Sequence, residues 1–277
     1  MKSIIKHLGL GLILTLFFSV SLQAANKFMD VETQNRSVAE FTSISLMCSA
    51  DLYITQGNSQ EVTVKADGKN INMLQTRVEN GKLIIDMKKH FGSLNFHVLE
   101  VHVTVKQLDK ISDFGSGDVK VKGSFKAKDL VVSLHGSGDF NGDLDVQNLK
   151  LNVKGSGDAN FNGVKGTFEL SVMGSGDVEG YGLQLESCGI ESMGSGDVEL
   201  SGTAKDLSLS QKGSGDFNGY GLKTETVNIS NYGSGDALVN VSQSIRARLY
   251  GSGDVLYRGG ADKVSVSAMG SGGVYKK

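Results

Sequence analysis

Residues 151–178 read LNVKGSGDANFNGVKGTFELSVMGSGDV, and the tetrapeptide Gly-Ser-Gly-Asp occurs in them twice, nineteen residues apart. Outward from this stretch, the same four residues begin at Gly115, Gly136, Gly155, Gly174, Gly194, Gly213, Gly233 and Gly251, and a ninth copy, Gly-Ser-Gly-Gly, begins at Gly270. The intervals stay between 18 and 21 residues. Self-similarity at a fixed period of this length marks a repeat architecture, in which each unit is one supersecondary element that cannot bury its apolar face alone.

The flanks of the tetrapeptide carry the period of two that belongs to strands. An apolar residue follows every copy, from Val119 and Phe140 through Val178 and Phe217 to Val255 and Val274. Four residues before the first glycine stand Ile111, Val132, Leu151, Leu170, Ile190, Leu209, Ile229, Ala247 and Val266, and six before it a second apolar column runs from Leu130 to Val264 through Cys188. Between them lies a polar column, including Ser133, Asn152, Ser171, Ser210 and Ser230. One face is therefore expected in the core and the other in water. Each repeat reads as two short strands and two turns. Stacked at the strand spacing of about 4.8 Å, nine such coils would form a rod roughly 40 Å long with a continuous core. The fold expected is all-β, a parallel β-helix or β-solenoid of about nine coils. An antiparallel barrel would also explain the alternation, but not the return of one tetrapeptide at alternate turns only.

Composition agrees with this reading. The chain has 37 glycines, no proline and no tryptophan, so turns must be built from Gly, Asn and Asp and no strand lacks a backbone donor. The N-terminus has the form of a secretory signal peptide over residues 1–24: Lys2 and Lys6 precede an apolar run from Leu8 to Val20, and Leu22-Gln23-Ala24 offers a cleavage site before Ala25. That run is short for a membrane span, which takes roughly 20 apolar residues. An exported chain, periplasmic or at the outer surface or secreted, with no transmembrane segment in its mature part, is the expectation. Loss of two lysines with the signal moves the formal charge from −2 to −4, and no basic block suited to nucleic acid is present. Cys48 and Cys188 lie far apart; Cys188 falls in a core column, and both are read as buried thiols.

Residues 25–110 lack the tetrapeptide yet remain strand-rich, with an Asn80-Gly81 hairpin between Val78 and Leu83 and an alternating Val101, Val103, Val105. They are expected to cap the solenoid and to be continuous with the repeats of 111–277, because open sheet edges invite aggregation. The edge of the last coil, Gly270 to Val274, leads to an expectation of weak self-association.

Three stretches, Phe41 to Ile44, Asp51-Leu52-Tyr53-Ile54-Thr55-Gln56-Gly57, and Gly251-Ser252-Gly253-Asp254-Val255-Leu256-Tyr257-Arg258-Gly259, together with the tetrapeptide series between them, resemble the auto-transporter adhesin, head GIN domain family, over about residues 38–275. The resemblance implies an extracytoplasmic β-helical domain and brings no catalytic residues with it. No further set of roughly ten-residue membrane strands follows the repeats, so a non-catalytic binding or structural module of the bacterial envelope is expected rather than a self-exporting adhesin.

Two columns carry the candidate chemistry. The first is the row of carboxylates Asp139, Asp158, Asp177, Asp197, Asp216 and Asp236, with Asp118 and Asp254 at its ends. Neighbours about 4.8 Å apart repel by roughly 0.9 kcal/mol even in water, so something must offset the charge. Calcium is one candidate, giving a β-roll-like alternative, although each coil supplies a single Asp against the six to eight oxygens the ion takes. The other is hydrogen bonding of each carboxylate to backbone amides in an Asx-type turn, with serine hydroxyls laddered alongside and glycines at positive φ. The second column stands just before each turn: Phe114, His135, Lys154, Met173, Met193, Lys212, Tyr232, Tyr250 and Met269. Alternation points it outward, and Tyr232, Tyr250, Met173 and Met193 are the candidate contacts for a glycan or cell-surface protein. A polysaccharide-acting enzyme is a third reading. It lacks support from any paired-carboxylate cluster, zinc-binding histidine spacing or nucleophile elbow. No cofactor is called for apart from the calcium alternative.

Overall fold

A computed structural model describes residues 31–68, 70–89 and 95–277. The signal-peptide segment lies outside these residues. Seven strands precede the repeats: β1 (Val31–Asn35), β2 (Ser43–Leu46), β3 (Asp51–Gln56), β4 (Glu61–Asp67), β5 (Leu74–Glu79), β6 (Lys82–Met87) and β7 (Leu99–Val105). The repeats continue through β8 (Lys110–Asp113), β9 (Val119–Lys122), β10 (Phe125–Leu134), β11 (Phe140–Val153), β12 (Ala159–Val172), β13 (Val178–Ser192), β14 (Val198–Gln211), β15 (Phe217–Asn231), β16 (Ala237–Leu249), β17 (Val255–Arg258), β18 (Lys263–Ala268) and β19 (Val274–Lys276). All pairings from β8 onward are parallel, and all strands belong to one sheet that winds into a β-solenoid.

The register sets each tetrapeptide upon the last. Leu151 pairs with Leu170, Leu170 with Ile190, Ile190 with Leu209 and Leu209 with Ile229, so the apolar columns read from sequence become continuous rows in the core. Phe125, Phe140, Phe161, Phe168 and Phe217 are fully buried among them. At about 25 cal/mol per Å² of apolar surface, this axial core is the main stabilising contribution, because no single coil could enclose it.

Two expectations change on contact with the structure. The repeat is not two short strands with two turns: β11 to β16 are strands of 13 to 15 residues that bend at a second corner, marked by register shifts such as Asp143/Val146 and Gly180/Leu183. Positive φ occurs at that corner, in Gly163, Gly182 and Gly202, and in none of the tetrapeptide glycines. A bulge absorbs the extra residue and bends the strand while leaving its pairing largely intact. The polar column is also less uniformly wet than alternation predicts. Ser112 and Ser133 are buried, the latter beneath the Asn152 side chain, whose Nδ2 donates to its Oγ at 3.3 Å.

Below the repeats, parallel stacking starts earlier than the first Gly-Ser-Gly-Asp. β8 lies on β2 and β9 on β3; β2 and β3 lie in turn on β6 and β7. Antiparallel strands then close this end, β4 on β7, β1 on β4 and β5 on β6. The β5–β6 turn uses Asn80 at φ 51 and Gly81 at φ 71, as the Asn-Gly pair requires.

Candidate functional site

The tetrapeptide turn forms one long corner of the rod, with a row of side chains on either side. Its glycines are required for proximity. A Cβ on Gly174 would stand 1.8 Å from the Gly155 carbonyl oxygen, and one on Gly176 would stand 2.1 Å from that of Gly157. Backbone rests on backbone here, and any larger residue would force the coils apart.

Cys48-Ser49-Ala50-Asp51 is a further copy of this turn that the sequence reading missed. Gly115 sits over Cys48 and Gly117 over Ala50, and the Asp118 amide donates to Asp51 Oδ1 at 3.0 Å. This copy carries Cys and Ala where the later ones carry glycine. The x-Ser-x-Asp-apolar pattern was the available signal. Cys48 and Cys188 are both buried free thiols, and burial pushes them up to about 11 and about 12 respectively, so neither is poised as a nucleophile.

The carboxylates form a ladder between coils. Asp139 Oδ1 accepts from the Asp158 amide at 2.9 Å, Asp158 from Asp177 at 2.8 Å, and Asp177 from Asp197 at 2.8 Å. Asp197 accepts from Asp216 at 2.8 Å, Asp216 from Asp236 at 2.7 Å, and Asp236 from Asp254 at 2.8 Å. The partner is thus the next coil's amide and not an amide of the same turn, as an Asx-turn would have it. A charge-assisted bond of this kind contributes about 1.5–3 kcal/mol, which outweighs a repulsion of roughly 0.9 kcal/mol per neighbour. The expected serine ladder is represented by Ser234 Oγ donating to Ser214 Oγ at 3.3 Å. Among the described residues no group of three or more His, Cys, Asp or Glu is arranged to hold a metal ion.

Polar residues also reach the turn from inside. Two residues before the first glycine, where other coils place Leu134, Val153, Val172 and Leu249, stand buried Asp113, Ser192, Gln211 and Asn231. Asn231 Oδ1 accepts from Gly233 N at 2.9 Å and its Nδ2 donates to Gly235 O at 2.7 Å. Gln211 Nε2 donates to Gly215 O at 3.1 Å. These side chains brace the corner from the core.

The outward row is assembled as the alternation predicts. Met173 and Met193 are 39% and 38% exposed, Tyr232 and Tyr250 are 51% and 40% exposed, and Met47 extends the row one coil below Phe114. Parallel register brings like positions together: the Tyr232 and Tyr250 rings stack at 4.7 Å with 2° between their planes, and Phe114 and His135 stack at 4.7 Å with 12°. The result is a flat, partly aromatic strip on the lateral face of the rod.

A parallel β-solenoid with an amide-braced Asp corner and an exposed side-chain row is the class of protein these features define. The family model described as "Putative auto-transporter adhesin, head GIN domain" matches residues 40–200 and 190–261, and the chain belongs to that family. Similar solved structures include a "putative lipid binding protein" from Parabacteroides distasonis ATCC 8503, 25% identical with a TM-score of 0.66 over 90% of this chain and 97% of that one. A "putative adhesin" from Parabacteroides merdae ATCC 43184 is 18% identical with a TM-score of 0.68 over 90% and 96%. Another from Parabacteroides distasonis is 21% identical with a TM-score of 0.63 over 89% and 97%. No functionally curated protein matches the chain. Among the described residues, no helix is long and apolar enough to cross a membrane.

Proposed function

We propose that this chain is an exported, non-catalytic recognition module of the bacterial envelope that binds a surface glycan along the lateral face of the rod. The observation that carries the reading is the half-exposed pair Tyr232 and Tyr250, stacked face to face at 4.7 Å, in one outward row that also holds Met173, Met193 and Lys212. Aromatic side chains held in a stack by the register present their ring edges and phenol hydroxyls along the row at little entropic cost, which suits a sugar chain laid along it. The adhesin description of the family and the lipid-binding description of one solved relative support a binding role. The signal-like residues 1–24 support export.

The test is binding of the mature chain to a glycan panel, with Tyr232→Ser/Tyr250→Ser beside it. The double variant should fold with an unchanged melting temperature and lose affinity at least tenfold, since each stacked aromatic contributes about 0.5–1.5 kcal/mol beyond its area. Undiminished binding by a folded double variant would remove this face as the site.

A further inference from the structure

We infer that the ligand class of this face is a carboxylate-bearing glycan, gripped by Arg246 and Arg248 beside the stacked Tyr232–Tyr250 pair; the inference rests on the glycan-binding reading above. Both arginines are exposed and come from β16, the strand that ends one residue before Tyr250. Arg248 pairs in register with Ser230, two residues before Tyr232, and Arg246 with Asn228. Outward residues at a spacing of two share a face, so the two guanidinium groups, the two rings and the Ser230 hydroxyl occupy one flat surface.

Charge on this face runs against the rest of the chain. The chain as a whole has a formal charge of −2. The outward columns one, three and five residues before the turns nevertheless hold Arg246, Arg248, Lys110, Lys150, Lys154 and Lys212 against only Glu169 and Glu191. Those two acids are already engaged, Glu169 with Lys150 at 2.9 Å and Glu191 with Lys212 at 2.7 Å. Arg246 and Arg248 have no ion-pair partner among the described residues. They are donors without an acceptor next to the exposed edges of the tyrosine pair.

The ligand chemistry follows from these parts. A guanidinium fork matches a carboxylate in bidentate geometry, and a lysine does not. The stacked tyrosines add a row of ring edges and phenol hydroxyls with a 4.7 Å step between rings, along which the hydroxyl and C–H groups of a sugar chain can lie. An uncharged polysaccharide would use the rings and leave the arginines idle. An acidic peptide would use the arginines and is the competing occupant that poly-glutamate tests.

The experiment compares polygalacturonate, hyaluronan and sialyl-lactose with their carboxyl-reduced forms, and adds poly-glutamate, against the mature chain and Arg246→Gln/Arg248→Gln. The wild-type chain should bind at least one acidic glycan about tenfold or more tighter than its reduced form, with affinity falling as salt rises. The arginine variant should lose that preference while keeping its residual binding to the reduced form and its melting temperature. Equal binding of acidic and reduced forms would overturn the carboxylate assignment and leave the glycan reading standing. Poly-glutamate binding as tight as any glycan would overturn the sugar half. Absence of binding to every glycan, acidic or reduced, would overturn both readings together.

Discussion

Replacing Asp113 by Asn should stabilise this protein at neutral pH. Asp113 ends β8, its side chain is fully buried, and Oδ1 accepts from Gly115 N at 2.8 Å. Its Oδ2 is buried without a hydrogen-bond partner. Burial, with a smaller contribution from the charge on Asp118, pushes the carboxyl up to about 6 from an ordinary 3.8, although the Gly115 N–H opposes the shift. Asn231 occupies the corresponding place in another coil and shows what an amide achieves there, accepting from Gly233 N and donating to Gly235 O. The two side chains are placed alike. A Cβ on Gly138 would come within 3.2 Å of Asp113 Oδ2, and one on Gly253 within 2.6 Å of Asn231 Nδ2. A protonated Asp113 can therefore act as Asn231 does, and an ionised one cannot.

The sign of the pH effect follows from the raised folded-state value. Below about pH 4 the carboxyl is protonated whether the chain is folded or unfolded, and the site costs nothing. Between about pH 4 and 6 the unfolded chain binds fewer protons than the folded one, so stability falls as pH rises, and above 6 the loss is complete. The displacement from 3.8 to about 6 corresponds to at most about 3 kcal/mol. Local relaxation at an effective dielectric near 20 leaves about 1–2 kcal/mol. For a chain of this size that is about 2–6 °C in melting temperature. The assay is thermal denaturation of wild type and Asp113→Asn from pH 3.5 to 8, taking the difference so that other titrations cancel. The difference should be near zero at pH 3.5 and reach a plateau in favour of Asn above pH 6.5. A difference independent of pH, or one favouring Asp at pH 7.5, would refute the reasoning.

The corner glycines and carboxylates yield two more expectations. Gly196→Ala places a Cβ 2.1 Å from the Gly176 carbonyl oxygen and should cost about 3 kcal/mol or more by chemical denaturation, in the range of severe backbone conflicts. Gly189→Ala, with nothing within 4 Å of its Cβ, should instead be neutral or stabilise by up to about 1 kcal/mol; an equal loss at both sites would dismiss close approach as the reason for the repeat. Asp177→Asn keeps an oxygen for the Asp197 amide and should change stability little, whereas Asp177→Ala strands that donor and should cost about 1–2 kcal/mol. Both should melt identically in calcium and in chelator, and a calcium-dependent rise in the wild-type melt alone would speak for the ion.

The sequence alone determined the repeat, the buried columns and the outward row, because each depends only on a period of two within a strand and a period near nineteen between strands. Tyr232 and Tyr250 were legible as neighbours for that reason: once coils stack in register, like positions must meet. What the Asp and Gly residues do was decided by the tertiary structure. Local pattern suggested Asx-turns and positive φ, but the partner of each carboxylate is an amide one coil away, and the glycines are demanded by the backbone beneath them. The Cys48–Asp51 copy was hidden by the same logic, since it lacks the glycines and the coil that rests on it, Gly115–Asp118, is far off in sequence. Asp113 and Asn231 stand in a column that other coils fill with Leu or Val, and only the fold supplies the amides and carbonyls of the corner that make a buried polar group there worth its desolvation. Periodicity can be read along a chain; contacts between coils exist only after the chain has closed upon itself.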